Sequence, residues 1–414
     1  MRIQDQTMVS AVGPVCTWGE LCPTHPRRSR SMNVSKACRA IVASTAALLA
    51  TLAHAQGVSS REIVLGQSVY LTGALAELGN DFTNGANAYF SKVNASGGVH
   101  GRKIRVITMD DAYDPKKALA NVDELERQGA FALFQFAGTG TVHEVSTVAA
   151  SRQIPLVAAV ATGPRLRAAH NPYTWYVRAG NTEELEAIID HLATIGHKRV
   201  ATVYVDSPYG LEAYEAMQSI IARKSGSFEA GRLVAAVAMK TNGDGAEAAA
   251  TQLRDAAPQA VVMITVPASS KAFISAAKRA GLRSTLYSLS AGLPVGALRE
   301  LGGEAHGVIV SQVMPSANRA AIPVVREYQQ AYLGAGFDKF TSASLEGYIN
   351  AKVMVEALTR AGRNLTRAGL VQALDSMSSY DMGGYKVRFS NTAHGGSRAV
   401  ELTIIGSGGG QFIY

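Results

Sequence analysis

The 414-residue sequence predicts an α/β protein made of two units, each a parallel sheet flanked by helices. Three observations carry that expectation. Short apolar runs alternate with helical patterns along most of the chain, the signature of doubly wound sheets. The stretch Phe131-Ala-Leu-Phe-Gln-Phe-Ala-Gly-Thr-Gly-Thr-Val-His143 shows the unit most clearly: a buried strand over 131–136, a tight turn through Gly138 and Gly140, then a helix with Val142, Val145, Val148 and Ala149 on one face. The alternation pauses near Trp175–Gly180 and restarts, which places two units of similar plan in tandem.

The first 55 residues read as an address rather than as fold. After a second start at Met32 come Lys36 and Arg39, an apolar stretch over 40–52 and the small-residue signal Ala53-His54-Ala55, the three parts of a secretory signal peptide over 32–55. Residues 1–31 show no periodicity and are expected to be a non-structural leader or an over-extended start. The apolar stretch is too short to remain in a membrane. Cleavage would leave 359 residues and remove Cys16, Cys22 and Cys38, so stability must rest on hydrophobic cores rather than disulfides. Six basic and two acidic residues leave with the leader, and the net charge falls from +8 to +4, too mild to argue for nucleic acid.

Taken in order, Arg61–Val69 reads as a strand and Leu71–Gly79 as a glycine-bounded loop. Asp81–Val93 is a helix with Phe82, Ala86, Phe90 and Val93 on one face. Ile104–Met109 is the next strand. Asp114 as N-cap and Pro115 at the first helical position open a helix to Gln128 that turns Ala118, Val122 and Leu125 inward. Asp110 and Asp111 lack the spacing and following glycine and glutamate of a calcium loop, so a capping turn is expected. Thr139 or Thr141 is expected to cap the helix after the central strand. Pro155–Val160 is a strand that ends in Ala161-Thr162-Gly163-Pro164. Right-handed crossovers then bring Gly138, Thr139 and Thr162 together beside a helix N-terminus, a small anion site.

In the second unit, Asn181-Thr-Glu-Glu184 is expected to form a capping box for a helix bearing Leu185, Ile188, Ile189 and Leu192. Strands follow at Arg199–Val205, Leu233–Val237, Ala260–Thr265, Thr285–Leu289 and Val308–Ser311, then helices at Pro323–Ala335, Ser342–Arg360 and Thr366–Leu374. Tyr385–Phe389 and Glu401–Ile405 alternate polar and apolar residues, and Gly406–Gly410 turns into Gln411–Tyr414 as a terminal antiparallel hairpin.

Catalytic chemistry is missing from this pattern. There is no Gly-x-Ser-x-Gly elbow, no His-Glu-x-x-His and, after cleavage, no cysteine nucleophile. The turn at Gly138 lacks the third glycine of a dinucleotide fingerprint and the Gly-Lys-Ser/Thr ending of a phosphate loop. His100, His143, His170, His191, His197, His306 and His394 stand in no ligand spacing. The expectation is a binder with no catalytic residue, cofactor or metal.

Leu71-Thr-Gly with Gly79, Asn94-Ala-Ser-Gly-Gly-Val-His-Gly-Arg102, Asp110-Asp-x-x-Asp-Pro115, Asp206-x-x-Tyr-Gly210 and Arg279-Ala-Gly-Leu282 occur in this order. Together they resemble the type I periplasmic solute-binding proteins of the leucine/isoleucine/valine-binding (branched-chain amino-acid ABC transporter) family, over about Arg61–Tyr414. The resemblance implies a two-lobed α/β fold, each lobe a parallel sheet flanked by helices, with crossings near Val177–Asn181, Val310–Met314 and Met382–Tyr385. Lobe 1 would hold 56–178 and 311–383, and lobe 2 would hold 179–310, with 384–414 as a hairpin returning to lobe 2. It further implies a monomeric periplasmic protein that captures a small carboxylate-bearing solute, an amino acid or an aromatic or aliphatic acid, for an ABC permease in the inner membrane. The alternative is a ligand-sensing subunit of a membrane signalling system.

By the same resemblance, Ala137, Gly138, Thr139, Val160 and Thr162 grip the ligand carboxylate and Tyr209 reaches in from the second lobe. The family glutamate that holds an ammonium matches Ser290, a family tyrosine matches Val266, and a first-lobe aromatic matches Leu78. A buried ammonium without a counter-charge costs on the order of several kcal/mol. The expected ligand is therefore an acid without an α-ammonium, unless Asp206 turns inward.

Overall fold

The computed structural model describes residues 56–228, 232–407 and 412–413, so the leader and signal peptide expected over 1–55 lie outside the described residues. The first half runs β1 (Glu62–Val69), α1 (Ala76–Ala95), β2 (Lys103–Asp110), α2 (Pro115–Arg127), β3 (Ala132–Phe134), α3 (Thr139–Ser151), β4 (Leu156–Val157) and α4 (Pro164–Ala168). It continues with α5 (Asn181–Thr194), β5 (Val200–Val205), α6 (Pro208–Arg223), β6 (Ala235–Met239), α7 (Ala246–Ala256), β7 (Ala260–Ile264), α8 (Pro267–Arg279), β8 (Thr285–Ser288), α9 (Val295–Leu301) and β9 (Ile309–Gln312). The last part is α10 (Pro323–Gly334), α11 (Ser342–Ala361), α12 (Arg367–Asp375), β10 (Tyr380–Asp381), β11 (Lys386–Val387), β12 (Glu401–Ile405) and β13 (Phe412–Ile413).

Two sheets result. The first is parallel throughout, in the order β2-β1-β3-β4. The second, in the order β13-β12-β9-β8-β7-β5-β6, is parallel from β6 to β9 and gains two antiparallel strands at its edge, so the expected terminal hairpin is present as β12 and β13. Helices cover the sheets because each turns one apolar stripe inward; on α5 the stripe is Leu185, Ile188, Ile189 and Leu192. Each fully buried side chain of the size of Phe131, Phe134 or Leu125 contributes roughly 1.5–3 kcal/mol.

The first lobe holds together partly through a close helix crossing. A Cβ at Gly85 on α1 would run into the Ser344 carbonyl, and one at Gly347 on α11 into the Phe82 carbonyl, so both positions require glycine for backbone approach rather than for conformation. That crossing brings the start of α11, with Ala343 and Glu346, to the edge of the first sheet.

Three expectations are corrected. The strand expected over 155–160 shrinks to Leu156–Val157, and the one over 131–136 to Ala132–Phe134. Gln135 (φ 53°) and Ala158 (φ 59°) adopt left-handed backbone at neighbouring levels, which breaks both strands before an isolated Ala137–Val160 bridge resumes the pairing. Tyr385–Phe389 is not a strand of the second sheet. Lys386–Val387 pairs with Tyr380–Asp381, and Val387 and Phe389 are buried with Trp175, Tyr328 and Tyr348 in the first lobe's core. The Ser397 N–H still donates to the Val177 carbonyl, so the chain joins the second sheet only after it. The second unit's first helix starts one residue out of the expected register, with a consequence for the site.

Candidate functional site

The strand ends of the first sheet build one side of a cleft. Val69, Tyr70, Ala137, Val160 and Ala343 form an apolar floor, with Leu71, Leu75 and Leu78 packed against it. Beside it stands the N-terminus of α3. Its N-cap is Gly138 at φ 105°, and no side chain caps it. Thr139, expected as a cap, instead accepts from the Thr162 N–H at 3.2 Å, which ties the two strand ends together. The first-turn N–H groups of α3 thus keep their donor capacity and the partial positive charge of the helix end. No hydrogen bond among the described residues uses the Thr162 hydroxyl.

Tyr113 roofs this corner. The aspartates at 110 and 111 set its position: Asp110 Oδ1 accepts from Ala112 N–H and Asp111 Oδ1 from Tyr113 N–H, both at 2.9 Å, holding Ala112 (φ 50°) and Tyr113 (φ 64°) in left-handed conformations. Such conformations cost of order 1–3 kcal/mol each, which the charge-assisted bonds offset. Burial would raise the Asp110 carboxyl, but donors from Thr72, Ala112 and Leu71 hold it below its ordinary value. The expected capping turn is therefore present, and among the described residues no group of His, Cys, Asp and Glu has metal-site geometry. The Tyr113 ring meets Tyr70 edge-on at 5.3 Å and covers Gly138 so closely that a Cβ there would lie 2.6 Å from it.

The second lobe faces this floor with Tyr209, Asn181 and a charged cluster. Helix α5 begins at Asn181 with Gly180 as N-cap, and the Gly180 N–H donates to Glu183 Oε2 at 2.8 Å. Glu183, not Glu184, closes the capping interaction, and Glu184 turns onto the apolar face and is fully buried. There it accepts from Ser290 N–H (2.7 Å), Ser290 Oγ (3.0 Å) and Ser311 Oγ (2.6 Å). Arg178, from the crossing segment, donates to Ser290 Oγ at 2.6 Å and stands 3.5 Å from Glu184 and 3.4 Å from Glu346. Burial would lower its guanidinium, yet Glu346 and Glu184 hold it above its ordinary value. Burial pushes the Tyr209 phenol up, the Asn181 side chain opposes the shift by hydrogen bonding, and Glu184 and Tyr113 add to it, so Tyr209 lies within electrostatic reach of both lobes.

At the rims, Arg165 pairs with Glu215 at 2.6 Å and Arg299 with Glu77 at 3.1 Å, joining the lobes on two sides.

Of the residues singled out from sequence, Ala137, Gly138, Thr139, Val160, Thr162 and Leu78 come together on the first lobe. Tyr209 lies near Tyr113, across from them. Ser290 is present but engaged: it belongs to the Arg178–Glu184 cluster, so the place expected to lack a counter-charge has the Glu184 carboxylate beside it. Val266 caps α8 with its N–H on Ser269 Oγ, and no apolar cluster among the described residues includes it. Asp206 does not turn inward; it is exposed and paired with Lys240 at 2.8 Å. Arg178, Glu184, Glu346, Tyr70, Tyr113 and Asn181 escaped the sequence reading. The signal available was a carboxylate inside an apolar stripe, Glu184 four residues before Ile188 and Glu346 next to Leu345 and Ile349.

Two α/β lobes, each a largely parallel sheet flanked by helices, face one another across this cleft, the architecture of a protein that holds a ligand between its lobes. The periplasmic binding protein family model matches residues 62–410, and the chain belongs to that family. Among curated relatives, Leu/Ile/Val-binding protein homolog 7 of Brucella suis is 26% identical over 81% of this chain and 86% of its own length. The match to Leu/Ile/Val-binding protein homolog 3 of Brucella melitensis, also 26% identical, spans 43% of this chain and about half of that relative, 48%. Among solved structures, an extracellular ligand-binding receptor from Verminephrobacter eiseniae superposes with a TM-score of 0.76 at 28% identity, over 85% of this chain and 100% of that one. A branched-chain amino acid ABC transporter protein from Thermus thermophilus with bound valine shares the fold at a TM-score of 0.75 and 19% identity, over 86% of this chain and 96% of that one. The family's compartment is the periplasm, and among the described residues no helix is long and apolar enough to cross a membrane.

Proposed function

We propose that this chain is the solute-capturing component of an ABC importer of the branched-chain amino-acid type, binding a small carboxylate-bearing solute between its lobes and presenting it to an inner-membrane permease. One observation carries the reading: the uncapped N-terminus of α3 lies beside the Thr162 hydroxyl and beneath Tyr113, in a corner that Tyr209 faces from the other lobe. Free N–H donors at a helix start favour a small anion. The names of the relatives, Leu/Ile/Val-binding, point to the same solute class. Lobe 1 then comprises 56–178 and 313–397 and lobe 2 comprises 179–312 and 398–414, which moves the third crossing from 382–385 to just beyond Ser397. Residues 32–55 are read as a cleaved export signal and the exported protein as a monomer.

A thermal-shift screen of the purified protein against amino acids, aromatic acids and aliphatic acids tests the reading. A ligand that binds only the folded state raises the melting temperature by mass action. The expected result is a rise with small acids that is reduced in Thr162→Ala. No rise with any acid, or a rise untouched by Thr162→Ala, contradicts it.

A further inference from the structure

Two carboxylates and one guanidinium meet where the chain crosses between the sheets, and they are unequally supplied with donors. Glu184 receives the Ser290 N–H and the hydroxyls of Ser290 and Ser311, and Arg178 stands beside it. Glu346 is 4% exposed, with Oε2 at 3.4 Å from Arg178 Nη1 and the charges of Glu184 and Arg167 acting on it from farther off. Its Oε1 is buried and has no hydrogen-bond partner among the described residues. With both carboxylates ionised, Arg178 and the more distant Arg167 balance their charge, and what Glu346 lacks is a donor for its second oxygen. Burial pushes its carboxyl above the ordinary range, as expected for a buried acid short of donors.

Its position ties it to the cleft. Glu346 lies one turn beyond Ala343, which belongs to the apolar floor with Tyr70, Ala137 and Val160. Its charge helps push up the phenols of Tyr70 and Tyr385. On the facing lobe, Asn181 and the Tyr209 hydroxyl are buried beside one another, and Asn181 draws the Tyr209 phenol back down. The other orphaned buried amides, such as Gln135, are neutral, and an unsatisfied carboxylate oxygen is the costlier group to leave without a donor.

We propose that Glu346 is a specificity-determining residue whose free oxygen accepts a hydrogen bond from a donor on the captured solute, an ammonium before a hydroxyl. This rests on the cleft being the capture site, and it reverses the expectation of an amine-free acid drawn from Ser290. An ammonium beside Glu346 gives Oε1 the donor it lacks, whereas the deaminated acid leaves that oxygen buried and unsatisfied. The unsatisfied carboxylate oxygen also burdens the ligand-free fold, so Glu346→Gln should melt higher without ligand while losing its selectivity.

The test is calorimetric titration of the full chain with matched sets: leucine, 4-methylpentanoate and isoamylamine; phenylalanine, 3-phenylpropanoate and phenethylamine; 4-aminobutanoate and butanoate. The expected result is at least one set in which the amino acid binds tenfold or more tighter than its deaminated partner. That ratio should collapse toward one in Glu346→Gln and persist in Glu346→Asp. Equal binding of the deaminated acid, or a ratio that survives in Glu346→Gln, overturns the assignment and leaves the carboxylate reading standing. Amines that bind as well as the amino acids and lose affinity in Glu346→Gln overturn the carboxylate reading and keep Glu346 in its role. Silence across all sets overturns both. If Glu346→Gln does not fold, Glu346→Met takes its place, with the same collapse expected and a surviving ratio overturning the assignment.

Discussion

The two sides of the cleft solve the same problem with opposite means. On the first lobe, the α3 N-terminus and Thr162 offer neutral dipoles, which remain at ease in water when no ligand is present. At the crossing segment, Arg178, Glu184 and Glu346 are formal charges taken out of water and held by one another. The first arrangement costs the fold little and can be altered with little structural consequence. The second is structural, because charges taken out of water and paired with one another at the lobes' junction are costly to separate.

That contrast orders the expected effects of mutation. Arg178→Ala should be the most damaging change, since it strands two buried carboxylates without their adjacent cation; a loss on the order of 3–5 kcal/mol is expected by denaturant titration. A loss under about 1 kcal/mol would show that the cluster is hydrated and break the comparison. Next, Glu184→Gln keeps the shape but replaces one acceptor oxygen by a donor facing serine donors; a cost of about 1–3 kcal/mol is expected, with the far-ultraviolet spectrum unchanged. On the neutral side the vulnerable feature is backbone. Gly138→Ala places a Cβ against the Tyr113 ring at φ 105°, and about 1–3 kcal/mol of stability should be lost together with ligand affinity. Thr162→Ala, by contrast, should change stability by less than about 0.5 kcal/mol while weakening the bound acid roughly tenfold, measured by calorimetry. Smallest of all is Arg299→Ala at the rim, a pair exposed on both sides, whose melting temperature should be indistinguishable from that of the unaltered protein.

The same contrast explains what could be read from sequence. The first-lobe corner is local: strand, glycine turn and helix lie within residues 131–143, and Thr162 ends the next strand, so periodicity and turn chemistry were enough to bring Gly138, Thr139 and Thr162 together. The sign of one detail was missed, because Thr139 bonds across to Thr162 rather than along its own helix. The charged cluster draws on positions 178, 184, 290, 311 and 346, and no local pattern connects them. A one-residue shift in the cap of α5 hid it further. Reading Glu184 as the capping glutamate gave it a solvent-facing task, whereas Glu183 performs that task and Glu184 points inward. Serine at 290 then looked like a missing charge, when it is the hinge-side donor to a carboxylate supplied from elsewhere in the chain. The pairing of β11 with β10 was equally invisible, since two-residue strands lie below any periodic signal.

The central claim is that the first-lobe corner receives a carboxylate. It is tested most directly by titrating the protein with the tightest acid found in the screen and with that acid's methyl ester, which keeps size and apolar surface and removes the negative charge. The account predicts that the ester binds at least tenfold more weakly, and that Thr162→Ala narrows the gap. An ester that binds as tightly as the acid would contradict it, because the α3 N-terminus would then be an ordinary helix start and not the seat of an anion.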